Sequence, residues 1–258
     1  MLRGLYIATN SLDVQQAKMN TISNNLANIS TTGYKRNQVV DSKFADSLQL
    51  ALEANGPGGK RQPLGEGILG NMVTQVHIDF TAGPLSETGG VTDFALEGKG
   101  FFVVENEAGE QFYTRDGSFH LDGEGTLLNS EGFQVLGEGG SITIEDAGKK
   151  LAIKEDGTIL VGEGTDIEEL DKLQIVEFAD PTLLKKTDGN YFTDPEGTAE
   201  EAMSTKVVQG WLERTNVDPV EEMIDMIPAL RVYESSQRLV QINDQLLDKA
   251  INQVGRVK

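Results

Sequence analysis

The segment at residues 113–119 gathers residue types that could do chemistry. Its sequence YTRDGSF places a phenol, a hydroxyl, a guanidinium and a carboxylate side by side, as a hydrolytic or proton-transfer site would. No nucleophile, base and orienting group accompany them as a set. Asp116-Gly117 is instead a dipeptide typical of a tight hairpin turn. The sequence therefore predicts a turn, with the flanking aromatic residues packed on a sheet and Arg115 paired with a neighbouring carboxylate.

Metal and cofactor chemistry has few candidate residues in this chain. There are no cysteines and only two histidines, His77 and His120, which excludes thiolate sites and leaves little for zinc. His77 alternates with apolar residues and is predicted to point outward from a strand. Gly98 and Gly100 lack the Gly-Lys-Ser/Thr of a phosphate loop and suit a bend in a sheet. An acidic run lacks the ligand spacing of a calcium loop and is predicted to be a solvated loop; it consists of Asp166, Glu168, Glu169 and Asp171.

These residues predict no catalytic, cofactor or metal site, which excludes much enzyme chemistry. One enzymatic alternative stays open, a secreted glycan hydrolase that would use paired carboxylates. It has little weight, because 41 acidic residues make a chance pair easy to find.

The charge of the chain is confined to its middle. The formal charge of −19 lies entirely in residues 51–210, whereas residues 1–50 sum to +2 and residues 211–258 to −2. Glycine follows the same division, with 26 of 29 in residues 51–210. No basic stripe compensates for the acidic surface, so nucleic-acid binding is disfavoured. No apolar run is long enough to span a bilayer, and the N-terminus does not resemble a cleavable signal peptide.

The N-terminal end predicts an amphipathic helix over Leu5–Ile29. Apolar residues recur every seven positions, and no proline or glycine interrupts them. This seam contains Leu5, Leu12, Met19 and Leu26, with Ala8, Ile22 and Ile29 between them. Gly33 is predicted to be a left-handed C-cap after the poor helix formers at 30–32.

The C-terminal end predicts a second helix with a matching stripe. Its heptad row contains Met226, Tyr233, Val240, Leu247 and Val254, and Val232, Leu239 and Leu246 widen it on one flank. Asn216 or Asp218 can cap its start, with Pro219 in the first turn. Pro228 lies inside the pattern and predicts a kink or a restart near Met226–Ala229.

Between the helices, short alternating runs separated by Asp-Gly, Glu-Gly and Gly-Gly pairs predict strands and hairpins. The fold class is therefore α+β, with a central, mostly antiparallel β domain. The predicted division is a helix at 1–34, a connector at 35–66, a β domain at 67–210 and a helix at 211–258.

Four stretches carry a family resemblance. SLDVQQAKMNTISNNLANISTTGYKR, from Ser11 to Arg36, closely resembles the N-terminal signature of bacterial flagellar rod and hook proteins. LSETGGVTDFALEGKGFFVV and YTRDGSFHLDGEGTLLNSEGFQVLG resemble the central motifs of that family, and QGWLERTNVDPVEEMIDMIPALRVYESSQRLVQINDQLL resembles its C-terminal motif. The chain departs from the family pattern at Pro228, Trp211 and Thr215. Its length suits a rod protein, distal or proximal, better than a hook protein.

The resemblance implies a structural subunit of the flagellar basal-body rod. Such proteins pair their terminal helices into a coiled-coil layer and polymerise into a tube that transmits torque to the hook. They have no active site, so the resemblance implies a protein that is not an enzyme. The implied partners are copies of itself, neighbouring rod and hook axial proteins and the flagellar type III export apparatus, with no membrane insertion. The implied location is the basal body, outside the cytoplasm. A hook protein or a cap-like scaffold is the alternative.

The expected assembly interface combines both helical ends with an asparagine row. Asn20, Asn24 and Asn28 are spaced at i, i+4 and i+8, where their amides could fix helix register between subunits or simply face solvent. The full predicted set is Leu5, Leu12, Met19, Asn24, Asn25, Leu26, Asn28, Met226, Tyr233, Val240 and Leu247.

Overall fold

A computed structural model describes residues 2–43, 71–144, 150–163, 166–187, 189–202 and 204–249. These residues form two long helices and nineteen strands, and every strand pairing between them is antiparallel. The α+β prediction is confirmed at this level. The Gly/Pro-rich part of the predicted connector and Val254 lie outside the described residues.

The described chain divides into two compact units. The first consists of two helices and a two-stranded ribbon, from residues up to 27, residues 37–78 and residues from 218 onward. The second consists of residues 28–36 and 79–217. The predicted boundaries at 34/35, 66/67 and 210/211 differ from these divisions and stay predictions.

Helix α1 of the first unit runs from Leu2 to Ala27. It matches the predicted helix within three residues at each end. The chain leaves it through a turn in which the Thr31 N–H donates to the Asn28 carbonyl at 3.1 Å. Gly33 is left-handed as predicted, with φ of 64°, but it lies six residues beyond α1 and does not cap it.

Helix α2 runs from Pro219 to Lys249. Of the two predicted caps, Asp218 is the correct one, because its Oδ1 accepts from the Val220 N–H at 2.8 Å. The helix continues through Pro228, so the predicted restart is wrong, and a bend without a break stays a prediction. The carbonyl that Pro228 leaves unbonded belongs to Ile224, in an exposed turn where water can solvate it.

A two-stranded ribbon completes the first unit. Strand β1 (Asn37–Lys43) pairs with strand β2 (Asn71–Ile78), with Asn37 opposite Ile78 and a register shift between Val40 and Asp41. The predicted strand around His77 is confirmed, and His77 is exposed as expected. An isolated ribbon is only marginally stable in water, so its packing on α1 is what supports it.

The second unit contains the other seventeen strands and one short 3₁₀ turn, Pro181–Leu183. The strands are β3 (Leu85–Glu87), β4 (Phe94–Glu97), β5 (Phe101–Glu105), β6 (Gln111–Thr114), β7 (Phe119–Leu121), β8 (Leu127–Asn129), β9 (Gln134–Gly137), β10 (Gly140–Ser141), β11 (Lys150–Ile153), β12 (Thr158–Glu163), β13 (Asp166–Lys172), β14 (Ile175–Phe178), β15 (Lys185–Lys186), β16 (Tyr191–Thr193), β17 (Ala199–Glu201), β18 (Lys206–Gln209) and β19 (Trp211–Glu213).

Ten of these strands form one sheet, whose main path is β15-β16-β6-β5-β9-β8-β7. Strands β11, β12 and β13 form a second sheet, and β18 with β4 and β19 with β3 form two pairs. The acidic run predicted to be a loop is strand β13, which is a correction. Its paired backbone satisfies the ladder while Glu168 and Glu169 stay exposed.

The core of the second unit is rich in phenylalanine. Phe102 is fully buried and contacts Phe119 edge to face, with ring centroids 5.2 Å apart. Phe101 meets Phe178 and Phe192 in the same way, at 5.5 and 5.9 Å. Edge-to-face aromatic contacts add to the area term of burial, so these rings fix how the strands pack.

Candidate functional site: the helix pair and the segment after it

Helices α1 and α2 pack against each other in antiparallel directions. The Asn25 amide donates to Glu222 Oε2 at 3.2 Å, and the Ser236 hydroxyl donates to the Ser11 hydroxyl oxygen at 3.1 Å. A residue late in α1 thus meets one early in α2, and a residue early in α1 meets one late in α2. The two helical ends predicted from the sequence are brought together within one chain.

The predicted apolar seam lies at the edges of this helix pair. All eight predicted heptad residues that the structure describes are half-buried: Leu5, Leu12, Met19, Leu26, Met226, Tyr233, Val240 and Leu247. The fully buried positions are other residues, all of them small or polar except Val14: Ala8, Val14 and Asn25 on α1, and Glu222, Ala229 and Ser236 on α2.

Sequence reasoning missed this buried row of α2 because it followed large apolar residues. Glu222, Ala229 and Ser236 are themselves spaced by seven and alternate with the predicted row at intervals of four and three. That 4-3 spacing is the signal that could have found them. Two members of this row, Ala229 and Ser236, have small side chains, which suit a close contact between the two helices.

Asn25 joins all three structural parts of the first unit. Its amide donates to the Asn37 carbonyl at 2.9 Å, and its Oδ1 accepts from the Asn37 N–H at 3.0 Å. With the bond to Glu222, this side chain links α1 to β1 and to α2. Asn25 and Glu222 are each only 1% exposed. A buried polar network of this kind fixes register, because a shifted helix would leave its members unsatisfied.

The other predicted asparagines lie differently. Asn20 and Asn24 are exposed on α1, and Asn28 is half-buried in the turn after it, where its Oδ1 accepts from the Thr31 hydroxyl at 3.2 Å. The i, i+4, i+8 row is therefore not one helical face, because α1 ends before Asn28.

Helix α2 carries two stripes of large apolar residues that remain exposed. The outer stripe comprises Val220, Met223, Ile224, Ile227 and Leu230, which are 47% to 62% exposed. The flank stripe comprises Val232, Leu239, Ile242 and Leu246, which are 43% to 52% exposed. At about 3.6 residues per turn, the outer stripe is centred about 150° around α2 from the buried row, and the flank stripe about 90° on the other side.

The segment after α1 belongs to the second unit and enters it through Lys35. The Lys35 ammonium is 1% exposed and donates to Glu213 Oε1 at 2.7 Å and to the Thr81 carbonyl at 2.8 Å. Glu213 Oε1 also accepts from the Gly83 N–H at 2.8 Å. Burial lowers the pKa of Lys35, although Glu213 opposes the shift.

Arg115 completes a buried charge triad with Lys35 and Glu213. Its Nη1 lies 3.3 Å from Glu213 Oε2, its Nη2 donates to the Gly98 carbonyl at 2.9 Å, and its guanidinium lies 4.9 Å from the centre of the Phe101 ring. Burial lowers the pKa of Arg115 as well. Two cations share one carboxylate here.

The turn predicted at residues 113–119 is corrected by this geometry. Strands β6 and β7 do not pair with each other, so Asp116-Gly117 closes no hairpin. Asp116 Oδ1 instead accepts from the Ser118 N–H at 3.0 Å and the Thr32 hydroxyl at 2.6 Å. The predicted carboxylate partner of Arg115 exists, but it is distant in sequence.

Two further contacts hold the segment. The Gly33 N–H donates to the Glu213 carbonyl at 2.8 Å, and Asn216 Oδ1 accepts from the Arg36 N–H at 2.8 Å. Asn216, considered as a helix cap, serves this purpose instead. Three separate motifs of the sequence thus meet at one buried point, which pattern reasoning on each motif alone could not show.

No group of three or more histidine, cysteine, aspartate or glutamate residues in the described ranges could hold a metal ion. None of the helices formed by those residues is long and apolar enough to cross a membrane.

Comparison with known proteins agrees with these motifs. Family models match residues 5–35 (flagella basal body rod protein), 95–161 (flagellar hook protein FlgE/F/G D1 domain) and 208–253 (flagellar basal body rod FlgEFG protein C-terminal). The chain is 34% identical to the flagellar basal-body rod protein FlgG of Buchnera aphidicola subsp. Acyrthosiphon pisum, over 96% of this chain and 98% of that protein. The chain belongs to the flagellar basal-body rod protein family.

Other relatives of this rod protein family span the chain equally well. FlgG of Borreliella burgdorferi is 32% identical over 98% of both chains, and the rod protein FlgF of Caulobacter vibrioides is 29% identical over the full length of both. Both the helical ends and the β unit are therefore shared with these rod proteins.

The family models map onto the features described above. The N-terminal match contains Asn25, Gly33 and Lys35, and the C-terminal match contains Glu213 and Glu222. Each terminal match of the rod protein family thus supplies one member of the Asn25–Glu222 pair and one of the Lys35–Glu213 pair.

Proposed function

We propose that the chain is a structural subunit of the bacterial flagellar basal-body rod. Copies assemble through the helical unit into a tubular shaft that transmits torque to the hook. The observation that carries this proposal is the pair of exposed apolar stripes on α2. The names of the relatives, which are rod proteins, support it.

The exposed stripes supply a driving force for assembly. Full burial of one such side chain contributes about 1.5–3 kcal/mol, so nine half-exposed side chains could gain on the order of 10 kcal/mol when covered. Association costs of comparable size reduce that gain. These exposed apolar residues form two rows along one helix instead of being scattered singly, which is the arrangement expected of a surface that partners cover.

The charge distribution determines where copies can approach. Two chains of charge −19 repel each other, but the residues that produce this charge lie in the middle of the sequence. The terminal segments are almost neutral, so contact through α1 and α2 avoids most of the repulsion.

The residues predicted for assembly take their place in this proposal. The eight half-buried heptad residues and Asn25 pack the α1–α2 pair, which forms the coiled-coil layer. Asn24 is exposed on α1 and Asn28 is half-buried in the turn after it, and we assign both to contacts with neighbouring subunits. The β unit, residues 28–36 and 79–217, is a separate compact unit.

The remaining features follow from membership of the rod. The subunit is not an enzyme and needs no cofactor, because its relatives are named as rod proteins and its buried charges serve packing. Its other partners are neighbouring rod and hook axial proteins and the flagellar type III export apparatus. It acts outside the cytoplasm, in the basal body.

Assembly of the purified chain tests the proposal. Sedimentation and negative-stain electron microscopy should show polymers of the unmodified chain. Ile224→Asp should leave circular dichroism unchanged but abolish polymers, and it should abolish swimming when it replaces the gene in its own host. Gln237→Asp, at an exposed polar position of the same helix, adds the same charge and should assemble normally.

Two results would contradict the proposal. One is an unmodified chain that stays monomeric when concentrated and in the presence of rod fragments as nuclei. The other is an Ile224→Asp variant that polymerises and supports swimming like the Gln237→Asp control.

A hook-type axial subunit is the second candidate, because residues 95–161 match a model described for hook protein as well. Immunogold labelling of isolated hook-basal bodies separates the two. Label below the hook supports the rod, and label along the hook supports the alternative.

A further inference from the structure

The two exposed stripes of α2 lie on different sides and different halves of the helix. The outer stripe occupies residues 220–230, on the side opposite the buried row, and the flank stripe occupies residues 232–246, about a quarter turn from that row. One flat partner surface cannot cover both. A subunit that buries both stripes therefore meets two neighbours.

We propose that the outer stripe of one copy packs on the flank stripe of the α2 helix of a second copy. This inference rests on the proposed function and names the contact through which copies join.

The distribution of exposed apolar residues points to this partner. An apolar stripe needs an apolar partner of similar length, since a polar partner would leave unpaired groups in the contact. In the described part of the first unit, α2 carries nine exposed large apolar residues, whereas α1 carries two, Tyr6 and Ile7, and the ribbon two, Val40 and Val76. The stripes extend about 15 Å and about 21 Å at 1.5 Å per residue, so each is long enough for the other.

The pairing produces a polymer and not a closed dimer. The stripe centres are separated by roughly 15 residues, so parallel packing displaces the second copy by about 22 Å along the helix axis. Each copy then still offers one unused stripe at either end. A contact between two different patches that does not close on itself generates an open filament with two distinct ends.

The size of each contact explains why both are required. Four or five half-exposed side chains bury roughly 150–300 Å² of apolar surface, well below the ~800 Å² per partner of a stable interface. One stripe contact alone is weak, and a copy inside the polymer gains from two.

Engineered cysteines test the pairing in the full chain, which has none of its own. Ile227→Cys marks the outer stripe and Leu239→Cys the flank stripe, while Gln237→Cys marks an exposed polar control position. Each variant is assembled alone and in equal mixtures, treated with a short bismaleimide and analysed on a denaturing gel.

The Ile227→Cys and Leu239→Cys mixture should give covalent dimers at least fivefold above either variant alone. A chain carrying both substitutions should give a ladder of multimers, and mixtures with Gln237→Cys should give neither. Dimers from Ile227→Cys alone, or from Leu239→Cys alone, would show that each stripe pairs with itself and overturn the inference.

Assembled polymers without any cross-link would overturn it as well, since the stripes would then contact other surfaces. Both outcomes leave the proposed function intact, because the polymers have formed. The proposed function fails separately, if the unmodified chain forms no polymers in the same experiment.

Discussion

Replacing Glu213 by glutamine should be far more costly than removing Lys35, although the two side chains share one ion pair. Glu213→Gln leaves two buried cations, Lys35 and Arg115, without a carboxylate. Uncompensated buried charges of this kind cost about 3–5 kcal/mol. For a chain of this size the loss corresponds to a fall of roughly 6–20 °C in unfolding temperature.

Lys35→Met instead balances the site, since one cation and one carboxylate remain. Glu213 keeps the Gly83 N–H at 2.8 Å, and the Thr81 carbonyl keeps the Asn216 amide at 3.2 Å. No group loses its last partner, so we expect a change of about 1 kcal/mol or less. Trp211, the single tryptophan of the chain, lies two residues from Glu213, and its fluorescence reports unfolding of this unit.

The pH dependence adds a second check on Glu213→Gln. Burial already lowers the pKa of Lys35, and loss of the carboxylate that opposes this shift lowers it further. The unfolded chain then binds more protons than the folded one between the lowered and the ordinary lysine pKa, so the stability of the variant rises with pH there. The difference in unfolding free energy between Glu213→Gln and the unmodified chain should therefore become smaller as pH rises from neutral toward the ordinary lysine pKa.

When both chains also carry Lys35→Met, the effect of Glu213→Gln on the unfolding free energy should not change with pH in this range, because the titrating lysine is gone. If Lys35→Met proves as destabilising as Glu213→Gln, or if the difference does not depend on pH in either background, the charge-balance argument is refuted.

Three further substitutions test other contacts. Asn25→Leu should destabilise the helical unit by about 2–4 kcal/mol because it removes the hydrogen bonds of Asn25. Asn24→Leu, at an exposed position, should cost less than about 0.5 kcal/mol. Thermal unfolding followed by circular dichroism compares the two variants, and equal losses would contradict the role of Asn25. Gly33→Ala places a Cβ 2.4 Å from the Arg115 backbone and should therefore cost well over ~1 kcal/mol of stability. Gly109 is also left-handed but has open space around it, so Gly109→Ala should cost only ~1 kcal/mol. Equal losses for the two variants, measured by tryptophan fluorescence, would show that the close approach of Gly33 to Arg115 does not matter. Pro228→Ala should stabilise α2 by up to about 3 kcal/mol without lengthening it, and a lower unfolding temperature would show that the proline is required.

Hydrophobic periodicity and capping residues predicted the two helices well. An uninterrupted heptad pattern sufficed for α1, and Asp218 with Pro219 marked the start of α2, because caps and amphipathic faces are local properties. The unbroken passage through Pro228 was not predictable in this way, since the cost of a proline depends on whether water reaches the freed carbonyl.

The contacts that join distant segments could not be predicted from the sequence. Arg115 belongs to a stretch that reads as a surface turn, and its partner Glu213 lies 98 residues away. Glu222 looks like a solvated helix residue, yet its hydrogen bond to Asn25 spans 197 residues. Long-range pairing of polar groups leaves no periodic trace, so the charge triad and the buried asparagine appear only once the chain is folded.

The order of segments along the chain has a mechanical consequence. Residues 28–36 and 79–217 form one unit, and the segments before, between and after them form the other, so the backbone passes from unit to unit four times. Tandem domains joined by a single linker concentrate any applied force on one stretch of backbone. Here a twisting load is divided among four covalent connections in parallel, and a proteolytic cut in one of them would still leave three to carry it.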